Sequence, residues 1–144
     1  MPQDYPRFTI QFSGTPQGVR RALSQIRSEL GTAGASPDQM GRIETVMAEV
    51  LNNVVEHALA GQPNGLVETF GQRRQGDWAF QVRDSGQPLP KMRLPGEALP
   101  TVNTRREDLP EGGFGWAMVH MLTSDVSYSR QTGRNCLKFS VPDY

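Results

Sequence analysis

Only one cysteine, Cys136, occurs in the chain, so no internal disulfide can form and nothing points to an oxidising compartment. Charge of one sign is also lacking. Fifteen Lys and Arg balance fifteen Asp and Glu, which removes any general electrostatic case for nucleic acid or an anionic membrane surface as a partner. No apolar run approaches the roughly 20 residues needed to cross a bilayer. Met1 to Tyr5 shows neither the basic stretch nor the apolar segment of a secretory leader. The expectation is a soluble cytoplasmic protein. Internal repeats and low-complexity tracts are missing too, and the two histidines, His57 and His120, are too few and too far apart for a metal centre. What remains is 144 residues with 36% apolar content, enough for a single domain over residues 1–144 with a core that needs no staples.

Phe8, Ile10 and Phe12 alternate with polar residues and predict a first strand. Thr15 followed by Pro16 reads as the cap and first residue of a helix whose apolar positions are Val19, Ala22, Leu23, Ile26 and Leu30, closed by Gly31. Ser36, Pro37 and Asp38 open a second helix in the same way. Its apolar face is Ile43, Val46, Met47, Val50, Leu51, Val54 and Ala58, and Gly61 ends it. Leu66 to Gln72 and Asp77 to Arg83 form a hairpin around Arg74-Gln75-Gly76. Five prolines interrupt Ser85 to Glu111, and a loop of that length inside a compact domain is usually functional. A short helix over about Trp116 to Leu122 follows, then a final hairpin with Val126 and Tyr128 facing Leu137, Phe139 and Val141. Hairpin-connected strands with segregated helices predict an α+β fold. It would be a two-layer sandwich of a mainly antiparallel sheet with helices on one face.

Three stretches carry candidate chemistry. Glu49, Asn53 and His57 are spaced four apart on the second helix and form one row along the shoulder of its apolar face. Asn53 offers a neutral oxygen suited to Mg²⁺, and Glu49 one turn earlier is a candidate proton acceptor. The same spacing also describes boundary residues of any amphipathic helix. Asp84 ends a strand and precedes Ser85-Gly86-Gln87-Pro88. Its carboxylate suits an exocyclic amine, and Gly86 lets backbone approach a flat base, but an ordinary Asp-Ser-Gly turn has the same spelling. Gly112, Gly113 and Gly115 open a helix, where free amides and the positive dipole end can meet phosphate. No Lys-Ser/Thr follows them, so they are not a P-loop.

In this order, Glu49-x-x-x-Asn53-x-x-x-His57, Asp84-x-Gly86-x-Pro88 and Gly112-Gly113-x-Gly115 resemble the boxes of the GHKL ATPase superfamily. The wording of Glu49 to Ala58 looks most like its anti-sigma-factor serine kinases. The resemblance implies the Bergerat-type fold and ATP with Mg²⁺ as cofactors. It casts Glu49 as catalytic base, Asn53 as metal ligand and His57 as a pocket-wall residue. Asp84 and Gly86 would hold adenine, the amides of Gly112, Gly113 and Gly115 the phosphates, and residues 85–111 would form an ATP lid from which Arg105 or Arg106 reaches the terminal phosphate. Implied partners are an anti-anti-sigma protein of the STAS type, phosphorylated on serine or threonine, and a sigma factor, with a homodimer as the family's assembly. Two departures stand out. Leu89-Pro90-Lys91 replaces an apolar and an acidic residue after the Asp84 box, and bulky Trp116 stands where a smaller apolar residue is usual. They leave open a nucleotide-sensing switch that sequesters a sigma factor without phosphorylating anything. A stand-alone ATPase domain of a two-component histidine kinase would need its phosphoacceptor histidine on another chain.

Overall fold

A computed structural model describes residues 5–60, 62, 65–92, 94 and 113–144. In chain order these form β1 (Arg7–Ser13), α1 (Pro16–Thr32), α2 (Pro37–Asn53), a single π-helical turn (Val54–Ala58), β2 (Leu66–Arg74), β3 (Asp77–Asp84), a 3₁₀ turn (Pro90–Met92), α3 (Gly113–Leu122), β4 (Ser124–Gln131) and β5 (Arg134–Pro142). The strands make one sheet in the order β1-β2-β3-β5-β4. Every neighbouring pair is antiparallel. The α+β two-layer sandwich expected from the sequence is therefore the observed architecture.

Local chemistry explains the boundaries. The Thr15 hydroxyl accepts the Gly18 amide at 2.9 Å and caps α1, with Pro16 at the first helical position. Ser36 and Gln39 form a reciprocal capping box at the start of α2. The β2–β3 hairpin turns on Gly76 at φ +91°, a conformation glycine adopts without a side-chain clash. Thr132 and Gly133, both at positive φ, join β4 to β5.

Three boundaries differ from the sequence reading. α1 runs to Thr32 and is capped by Ala33, one residue beyond Gly31 being too few to change its face. The second helix does not stay α-helical to Gly61, which lies outside the described residues. Its α-helical part stops at Asn53, and the amide of Leu59 then bonds the carbonyl of Val54, five residues back. α3 starts at Gly113, three residues before the expected Trp116, so Gly113 and Gly115 lie within its first turn.

The core lies between the helices and one sheet face. β3 sends Trp78, Phe80 and Val82 inward, β5 sends Leu137, Phe139 and Val141, and α1 and α2 cover them with Ile26, Leu30, Ile43, Met47, Val50 and Leu51. Each such side chain contributes about 1.5–3 kcal/mol by leaving water. The inward alternation continues past the last apolar residue of two strands. Asp84 on β3 and Asn135 on β5 are register partners on this same buried side. The fold thus carries a carboxylate and an amide to one end of its core.

Candidate functional site

At that end, α2, the π turn, β3, β5, Tyr128 and Trp116 enclose a small cavity of about 30 Å³. Asn53 and Asp84 both line it, together with Val50, Val54, Val82, Leu89 and Asn135. The structure therefore brings two of the three sequence stretches onto one space. Asn53 is half-buried there, at the last residue of α2. Glu49, one turn earlier and also half-buried, lies directly over Gly115: a methyl group on Gly115 would overlap the Glu49 carboxylate. The third stretch thus joins the other two through the close approach of α2 and α3. Glycine at 115 leaves the Glu49 carboxylate room to lie there.

Asp84 is 6% exposed. Its Oδ1 accepts the Gly86 amide at 2.8 Å and the Asn135 side-chain amide at 3.0 Å. Both bonds fall on the same oxygen, so Oδ2 remains as an acceptor. Burial pushes the Asp84 carboxyl above the usual carboxylate range, opposed by the bonds from Asn135 and Gly86 and by the nearby Arg130 charge. Gly86 is packed against the end of the π turn. A Cβ there would collide with the Ala58 carbonyl, and the next amide, Gln87, donates to that same carbonyl at 2.7 Å.

Three further residues of this site escaped the sequence reading. Asn135 donates to Asp84 and, at 2.8 Å, to the Gln87 carbonyl. Its Oδ1 accepts Tyr128 Oη at 2.5 Å and Arg130 at 2.8 Å. Arg130 also donates to the Gly86 carbonyl at 2.8 Å, and Tyr128 accepts the Leu89 amide at 3.1 Å. This network ties the chain after Asp84 to the last hairpin. Stepping back two residues from Leu137, Phe139 and Val141 places Asn135 on the inward face, which was the available signal.

The remaining candidates stand apart or cannot be placed. His57 is exposed and does not line the cavity. It lies within the π turn, Val54–Ala58. Gly112, Arg105 and Arg106 lie outside the described residues, as does most of the expected 85–111 lid. Among the described residues no cluster of three His, Cys, Asp or Glu could hold a metal. Among the described residues no helix is long and apolar enough to cross a membrane. A surface concavity of about 660 Å³ lies on the outward side of the sheet among Arg7, Phe70, Arg83 and Lys138. It includes none of Glu49, Asn53 and Asp84.

This fold, with Asn53 and Asp84 on one cavity and Glu49 over a glycine at a helix start, defines a class: the chain belongs to the histidine kinase-like ATPase domain family, whose sequence pattern matches residues 12–141. Within it the likeness is to the anti-sigma-factor branch. An anti-sigma F factor of Halalkalibacterium halodurans is 25% identical over 117 residues, covering 81% of this chain and 78% of that one. One from Geobacillus stearothermophilus is 24% identical over the same span. Among solved structures, the RsbU and RsbW domains of a Mycobacterium tuberculosis protein superpose with a TM-score of 0.67 at 20% identity. That match covers 95% of this chain and 32% of the larger protein. The nucleotide-free catalytic domain of histidine kinase ThkA gives 0.53 at 14% identity, over 98% of both chains. At these identities the structural matches speak for the fold.

Proposed function

We propose that this chain is an ATP-binding anti-sigma factor that phosphorylates a serine or threonine of an anti-anti-sigma partner of the STAS type, and that it also binds a sigma factor. The observation that carries the reading is the shared cavity of Asn53 and Asp84, with Glu49 one helical turn away against Gly115. Asp84 Oδ2 accepts the amino group of adenine, and Gly86 lets the base lie close to the backbone. The amides at the start of α3, with the positive end of its dipole, receive phosphate oxygens. Asn53 would hold Mg²⁺, which when bound supplies charge neutralisation across the phosphates. Glu49 takes the proton of the attacking hydroxyl as its oxygen bonds to the terminal phosphorus and the bond to the departing ADP oxygen breaks.

Incubation with labelled ATP and the partner tests this. Labelled partner is expected from the wild type and none above background from Glu49→Ala. Phosphoprotein that still forms in Glu49→Ala removes Glu49 from the base role. Titration of ATP by calorimetry, with and without Mg²⁺, should show a metal dependence that Asn53→Ala loses. A second reading, a switch that binds ATP and a sigma factor without phosphorylating, is favoured by one feature: Trp116 helps close the cavity to about 30 Å³. ATP-dependent sigma binding with no phosphoprotein would select it.

A further inference from the structure

Two buried side-chain polar atoms lack a hydrogen-bond partner among the described residues, Thr69 Oγ1 and Trp116 Nε1. They differ in place. Thr69 is an inward residue of β2 and lines no described cavity. Trp116 is 3% exposed and forms a wall of the cavity that holds Asn53 and Asp84. An indole N–H can only donate, and a buried tryptophan ordinarily finds an acceptor because an unmet donor is costly.

Two other polar groups of the cavity are already engaged. Asn135 already gives two hydrogen bonds and receives two. Tyr128 donates to Asn135 and accepts from Leu89. Among the lining residues, the polar side-chain groups left without a hydrogen-bond partner among the described residues are Asp84 Oδ2, the Asn53 amide and the Trp116 N–H. The rest of the wall is apolar: Val50, Val54, Val82 and Leu137. With about 30 Å³ of space the cavity takes only the edge of a ligand, and the matching edge is that of a flat ring that carries a donor for Asp84 and an acceptor for Trp116. Phosphate satisfies neither the apolar wall nor the neighbouring carboxylate.

We propose that Trp116 is a ligand-contacting residue whose indole N–H donates to an acceptor on the nucleoside part of the bound nucleotide. This rests on the nucleotide reading of the cavity. It makes the bulk of Trp116 a means of recognition, in a position where the family's smaller residue has no such donor to offer.

Phenylalanine keeps a ring at this place and removes only the donor and part of the bulk. Calorimetric titration of ATP and of ADP into Trp116→Phe is expected to show affinity about three- to tenfold weaker than wild type, by the same factor for both nucleotides. Affinity that is unchanged or tighter overturns the contact. A loss confined to ATP overturns the nucleoside assignment, because it places the acceptor on the terminal phosphate. A second measurement reads the contact in the wild-type protein. In wild-type protein the indole N–H resonance of Trp116, assigned by its absence from Trp116→Phe, is expected to move downfield on saturation with ADP. A resonance that does not shift overturns the proposal. Failure of the wild type to bind either nucleotide would sink the ATP reading itself, an outcome distinct from binding that ignores Trp116.

Discussion

Replacing Gly86 by alanine isolates the contact that shapes one side of the cavity. An added Cβ would stand inside the Ala58 carbonyl, and its nearest obstacles include backbone atoms, which cannot swing aside as a side-chain tip does. Either the turn after β3 or the end of the π turn must shift. Overpacking of this kind costs about 1–3 kcal/mol. The shift also weakens the 2.7 Å bond from Gln87 to Ala58 and the 2.8 Å bond from Gly86 to Asp84, each contributing about 1 kcal/mol. Against this, glycine-to-alanine exchange restricts the unfolded chain and stabilises by about 0.4–1 kcal/mol. The balance is a loss of about 2–4 kcal/mol. With a urea dependence of about 2 kcal/mol per molar, the unfolding midpoint should fall by about 1–2 M at unchanged slope. Gly41→Ala is the control: Gly41 is exposed inside α2, with nothing within 4 Å of an added methyl. There only the favourable terms act, and the midpoint should rise by a few tenths of a molar. A Gly86→Ala midpoint equal to or above wild type would refute the reasoning, since the clash would then be relieved at no cost.

Gly115→Ala places a methyl on the Glu49 carboxylate, a movable side chain, so it should displace Glu49 and abolish phosphate transfer while costing less stability than Gly86→Ala; transfer at the wild-type rate would contradict that geometry. For Asp84 the raised carboxyl means the folded state binds the proton more readily than the unfolded chain. Stability therefore falls as pH rises from about 4 through the folded value, and the deficit stays constant above it. Asp84→Asn should remove that fall and equal or exceed wild-type stability at pH 7 while losing nucleotide binding, as urea titrations across pH would show. Asp143 has the opposite sign. The Arg73 guanidinium beside it, with help from Gln39 and Arg42, holds its carboxyl below the usual range. Its contribution is present above about pH 4 and is lost as pH falls through the folded value. Asp143→Asn should cost about 1–2 kcal/mol at pH 7, the side chain being a quarter exposed, and the gap to wild type should close in acid.

The elements were legible where several local signals coincide. Cap, proline and apolar period agree at Thr15 and Ser36, and both helices begin there. The alternation of Trp78, Phe80 and Val82 fixed β3 and, continued by two residues, the inward aim of Asp84. Asn53 and Asp84 were identified by wording, and their meeting on one cavity depends on strand order, which no local pattern encodes. Asn135, Tyr128 and Arg130 went unseen for the same reason, since their partners lie as far as 51 residues away in sequence. The sequence reading of His57 assumed a constant helical period, whereas His57 lies in a π turn and is exposed. The π turn is a departure of one residue per turn, and the apolar spacing of Val54 and Ala58 does not distinguish it from an α-helix.

That turn has a consequence for the evolution and engineering of this chain. A five-residue-wide loop of backbone is what a helix makes when it absorbs one extra residue without unwinding. Deleting a single residue between Val54 and Ala58 would let the helix close up regularly. Because the wide turn holds the surplus residue, Asn53 before it and the chain after it would both keep their places around the axis. The bond from the Leu59 amide to a carbonyl five residues back would give way to an ordinary one four residues back, and the carbonyl that receives the Gln87 amide would stay at the helix end. A homologue one residue shorter at this spot should therefore seat the chain after β3 in the same way.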